Sequence, residues 1–144
     1  MPTIATIGYE KATLDDVVAR LKAAHVDMVV DVRAIAASRR PGFSKSMLAA
    51  SLQAEGIDYR HLRPLGTPKA GREAVRAGRP EEMRAIYDAH LREPEAQHAL
   101  AEAEDLARRN RIALLCYEHE ACNCHRSMVA DRLRKSTGFG IAHL

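Results

Sequence analysis

Five consecutive residues, Ile112 to Cys116, carry no polar side chain, and the stretch that follows reads YEHEACNCHR before helical spacing resumes at Met128, Val129, Arg132 and Leu133. A short unbroken apolar run fits a strand buried on both faces, which in soluble proteins means a parallel sheet covered by helices on each side. Strand, polar loop and helix in that order restrict the chain to the α/β class. In such sheets ligands collect where strand carboxyl ends meet helix amino ends, because free N–H groups and the helix dipole attract anions there.

The rest of the chain repeats the alternation. Thr3–Ile7 reads as a first strand. Thr13 with Asp16 three residues on reads as a capping box opening a helix with Leu14, Val17, Val18, Leu21 and His25 on one face. Met28–Val32 is a second strand. Phe43 before Ser44, with Leu48 beyond, has hydrophobic-staple spacing and predicts a helix from Lys45 to Glu55 that stops at Gly56. Residues 57–62 alternate as a third strand. Pro64, Gly66, Pro68, Gly71 and Gly78 predict a loop-rich excursion over 64–79, long enough to serve as a lid. Pro80 and Pro94 open two acidic amphipathic helices. Arg111–Cys116 is the fourth strand, Cys124–Ser136 the last helix, and Gly138–Leu144 a short fifth strand. The expected architecture is one domain over residues 1–144, three-layered, with a mainly parallel sheet of about 4–5 strands covered on both faces.

Composition narrows the function classes. The 144 residues are 47% hydrophobic and 28% charged, values of a globular domain. Aromatics are 4% and Trp is absent, so a base-stacking platform for single strands has little to be built from. No apolar run is long enough to span a bilayer, and MPTIATIGYE lacks a signal-peptide pattern, so a cytoplasmic protein without a membrane partner is expected. Three cysteines in a reducing compartment favour free thiols or metal ligands over a disulfide framework. Net charge is only +3 but unevenly spread. Arg33, Arg39, Arg40 and Lys45, then Arg60, Arg63, Lys69, Arg72, Arg76 and Arg79, make 33–45 and 60–79 basic, whereas 81–105 is acidic.

Chemistry concentrates at Cys116, Glu118, His119, Cys122, Cys124, His125 and Arg126. If Asn123 caps the last helix, Cys124 lies in its first turn beside a cation, where a thiolate is favoured; the alternative is a buried cysteine that fills space. Glu118 is placed as an acid/base, or as a partner of local arginines. Cys116, His119, Cys122, Cys124 and His125 are zinc-type ligands, but not at the spacing of paired knuckles, and no metal or cofactor is assigned. The Cys-to-Arg spacing also excludes a cysteine-phosphatase loop. A rhodanese-like sulfur-transfer domain, with a cysteine at a strand end, stays as an alternative.

Taken in order, TIGYE, VVDVR, SRRPGFSK, GIDYRHLRPLG and LLCYEHEACNCHRSMVADRL resemble the uncharacterised family known as domain of unknown function 488, over nearly the whole chain. The resemblance implies a small α/β domain and no established reaction. It marks Gly8, Tyr9, Asp31, Arg33, Ser38, Arg39, Pro41, Phe43, Lys45, Tyr59, Leu65, Gly66, Cys116, Glu118, Cys124, His125 and Arg126 as motif positions. Ala34 to Ala37 departs from the family pattern, which carries a proline there, and Cys122 is an additional thiol.

These motifs each follow a predicted strand and so converge on one sheet edge. The expected site there has Cys124, His125 and Glu118 nearest the chemistry and Tyr9, Arg33, Arg39, Lys45, Tyr59 and Arg126 around the ligand. Its cations suit a small anionic ligand, which makes an enzyme acting on a phosphorylated or nucleotide-like substrate the first expectation. A nucleic-acid-binding module using loops 33–45 and 60–79 is the alternative from a different class.

Overall fold

The computed structural model describes residues 2–117 and 125–144. Strands β1 (Thr3–Gly8), β2 (Met28–Asp31), β3 (Asp58–His61), β4 (Ile112–Cys116) and β5 (Gly140–His143) form one sheet in the order β3-β2-β4-β1-β5, every pairing parallel. The apolar run thus becomes the central strand, and all five of its residues are buried. β3 lies at one edge with alternating exposure, the pattern its sequence predicts.

Among the described residues, six α-helices cover the two faces. Helices α1 (Leu14–Ala23) and α2 (Lys45–Ala54) seat Val17, Leu21, Leu48 and Leu52 on Ala5, Ile7, Val29, Ala113 and Leu115. On the other face lie α3 (Lys69–Arg76), α4 (Pro80–His90), α5 (Pro94–Arg109) and α6 (His125–Thr137). Their Ala74, Met83, Tyr87, Ala99, Ala103, Val129 and Leu133 meet Ile4, Val30, Ile112, Leu114 and Cys116. The buried face of α5 is made of small residues, Ala96, Ala99, Ala103 and Ala107. Among the described residues, no helix is long and apolar enough to cross a membrane.

The start of α1 is built as its spacing predicts, with Asp16 N–H donating to Thr13 Oγ1 at 3.1 Å and Thr13 N–H to Asp16 Oδ2 at 3.3 Å. At α2 the staple pair Phe43 and Leu48 is buried. Ser44 holds the N-cap position without capping; its hydroxyl instead takes Ser38 N–H and donates to Ser38 O, cinching the loop 38–44. The segment 64–79 departs from the predicted excursion. It holds a 3₁₀ turn, Arg63–Leu65, and then the two-turn helix α3. Pro68 precedes that helix and Gly78, at φ +73°, follows it, so the residues that suggested a loop are its terminators. Gly71 lies inside α3 because a Cβ there would stand 2.5 Å from Thr67 Cγ2.

Candidate functional site

The sheet order opens a crevice at the strand carboxyl ends. From β1 and β2 the chain leaves toward the α1/α2 face, whereas from β4, which lies between them, it leaves toward the other face. Adjacent strands whose connections part in this way leave a gap outside their carboxyl ends. A cavity of about 670 Å³ occupies it, lined by Tyr9 beyond β1, the stretch Arg33–Ile35 with Ala37–Arg39 beyond β2, Cys116 and Tyr117 of β4 and its exit, His125 of α6, and Thr67, Arg72, Val75, Arg76 and Met83 of the α3–α4 layer. Gly66 allows the loop after β3 to close one wall, since a Cβ on it would lie 2.2 Å from Ala34 Cα.

Beneath the cavity lies a buried charged network. Arg33 Nε donates to Asp31 Oδ1 at 2.9 Å and Oδ2 at 3.1 Å, Nη2 to Oδ2 at 2.7 Å, and Nη1 to Tyr9 Oη at 3.1 Å and to the Phe43 carbonyl at 2.7 Å. Burial alone would lower the Arg33 pKa, but the hydrogen bonds and charge of Asp31 outweigh it and hold the guanidinium firmly protonated. Four of its five N–H groups are thereby engaged within the protein. Tyr59, on β3, donates its phenol hydroxyl to Asp31; burial and that bond push its pKa up. Tyr9 stacks on Phe43 with ring centroids 4.3 Å apart. Arg33 and Tyr9 line the cavity while serving as its frame, and Tyr59 braces Asp31 from outside the lining.

His125, the first residue of α6, places Nε2 2.6 Å from the Val32 carbonyl. A carbonyl only accepts, so the proton resides on Nε2 and Nδ1 is the basic nitrogen. Desolvation lowers the pKa to about 4, which keeps the imidazole neutral near pH 7 and excludes it as an anion-binding cation there. Tyr87 meets the ring edge-on at 5.3 Å. Arg126, the next residue, is 1% exposed and lies behind the lining, with Nη1 3.0 Å from Cys116 Sγ. Cys116 is disulfide-bonded, where the sequence favoured free thiols or metal ligands. Glu118 and Cys124 also lie outside them, as do His119 and Cys122. Among the described residues no cluster of His, Cys, Asp or Glu is placed to hold a metal ion.

The predicted residues therefore separate. Tyr9, Arg33, Arg39 and His125 come together on the cavity; Tyr59 and Arg126 support it from behind; Lys45, exposed in the first turn of α2, is not part of the lining. Arg72, Arg76 and Tyr117 are lining residues that the sequence did not single out as such. The i, i+4 spacing of Arg72 and Arg76 between Pro68 and Gly78 was the available signal, since four residues apart on a helix share a face. Elsewhere Arg60, Arg79, Arg92, Arg108, Arg109, Arg132 and Arg134 each hold a carboxylate. Arg39, Arg72 and Arg76 hold none among the described residues; Arg72 Nη1 donates to the Thr67 carbonyl at 2.9 Å, which steadies it.

A family model described as domain of unknown function DUF488 matches residues 13–133. No curated protein and no solved structure matches the chain.

Proposed function

Since the chain belongs to the DUF488 family, whose description assigns no function, we propose one from the cavity: it binds a small phosphorylated or nucleotide-like anion at the strand carboxyl ends and acts on it there. The observation that carries this reading is the set of three arginines, Arg39, Arg72 and Arg76, that line the cavity without a carboxylate partner among the described residues. Guanidinium groups pair readily with phosphate oxygens through parallel N–H bonds, and each such charged hydrogen bond contributes roughly 1.5–3 kcal/mol. His125, a neutral imidazole on the cavity wall with Nε2–H committed to Val32, is the proposed acid/base group. Glu118, two positions after β4 in the sequence, completes the proposed reacting set.

The reading as a nucleic-acid module draws on the same basic segments but finds fewer free cations in them. Arg33, Arg40, Arg60, Lys69 and Arg79 already hold protein partners. Calorimetric titration with pyrophosphate and adenosine 5′-monophosphate at low salt tests the proposal. Arg39→Gln and Arg76→Gln, both at exposed positions, should each weaken binding about tenfold. Absence of binding at millimolar ligand, or unchanged affinity in the double variant, would overturn it.

A further inference from the structure

The cavity has a second, chemically different half. Among the described residues the large apolar side chains left exposed are Ile35 at 60%, Met47 at 61% and Tyr117 at 43%, and two of these three line this one cavity. Val75 and Met83 extend the apolar lining. Exposed apolar surface gathered in a concave site, rather than scattered singly, marks a place where a ligand supplies the missing cover. Tyr117 is also fixed in orientation. Its backbone carbonyl accepts from Glu10 N–H at 2.8 Å, and its ring meets Tyr9 edge-on at 5.4 Å, against a Tyr9–Phe43 stack that is itself buried. A ring held in this way presents a standing flat surface.

We infer that the ligand is a nucleoside monophosphate, its planar base lying against Tyr117 and Ile35 while its phosphate meets Arg39, Arg72 and Arg76. The inference rests on the anion reading above and narrows it. About 670 Å³ is far more than a phosphate alone requires and falls within the range of roughly 300–1,000 Å³ typical of small-molecule sites. The ring is needed because an anion by itself would leave Tyr117 and Ile35 in water. A free nucleotide is favoured over a nucleic-acid strand because one fixed ring provides for one base, whereas strand binders repeat the stacking platform along a groove.

The test compares adenosine 5′-monophosphate, ribose 5-phosphate, octyl phosphate and a 5′-phosphorylated oligonucleotide on the wild-type chain and on Tyr117→Ala and Tyr117→Phe. The nucleotide should bind about tenfold more tightly than ribose 5-phosphate, within the range of base–aromatic stacking. Tyr117→Ala should abolish that difference and leave ribose 5-phosphate unaffected, and Tyr117→Phe should preserve it. Equal affinity for nucleotide and ribose 5-phosphate would overturn the base site while leaving the anion reading in place. Octyl phosphate matching the nucleotide, or the oligonucleotide exceeding it, would overturn the assignment to a free planar ligand. Failure of every phosphorylated compound to bind would remove the anion reading itself, and this inference with it.

Discussion

His125 makes its neutrality a matter of folding. In an unfolded chain the imidazole titrates near 6.5, but in the folded protein its pKa falls to about 4. Between those values the unfolded state binds more protons, so stability falls as pH drops from about 6.5 toward 4 and is fully present above 6.5. The loss between pH 7 and pH 5 should reach about 2 kcal/mol, read as the shift of the urea midpoint multiplied by the slope. His125→Gln should flatten that dependence, and an equally steep profile in the variant would assign it to other groups. Arg33 shows why a residue's type does not declare its task. Its position after VVD and its charge are plain in the sequence, yet what engages its donors comes from Asp31, Tyr9 and Phe43, brought together by two strands and a loop. The arginines that remain for a ligand emerge only once such pairings are known.

At the level of elements, Gly66 before α3 and Gly71 within it do different work. Gly66 has ordinary backbone angles and is required by the Ala34 backbone across from it, whereas Gly71 is required by a side chain, Thr67. Gly66→Ala must therefore move one of two backbone segments, both of which border the cavity. It should cost about 2 kcal/mol in chemical denaturation and weaken anion binding in parallel. A fully stable variant with altered binding would place the effect at the rim alone. Most elements were readable because their signals are local: the Thr13–Asp16 box, the prolines that open α4 and α5, and the apolar run of β4. Helix α3 was hidden by its own boundaries, Pro68 and Gly78, with Gly71 between them, so the face carrying Arg72 and Arg76 went unrecognised. Tyr117 was hidden differently, since at the end of a buried strand nothing local distinguishes a ring turned toward a cavity from one turned inward.

Across the whole molecule, two hydrophobic cores are separated by the sheet and share its central strand. Leu114 faces the α3–α6 side and Leu115 the α1–α2 side, both fully buried. Leu114→Ala and Leu115→Ala should each cost about 2–5 kcal/mol. Circular dichroism and tyrosine fluorescence should report one coincident transition for each, because neither core can lose β4 alone. Separate transitions for the two probes would show that the faces unfold independently.

The strand order also has a consequence for how the chain emerges from synthesis. β1 comes out first, yet both its neighbours, β4 and β5, come from the final third of the sequence. Of the four pairings in the sheet, only β2 with β3 can form before residue 112 is available. The amino-terminal strand therefore waits with both edges open, and closure of the sheet is a late event that joins distant parts of the chain. The cavity, whose walls meet around β4, comes into being at that same moment. A ligand that binds it can favour only the finished protein over everything that precedes it.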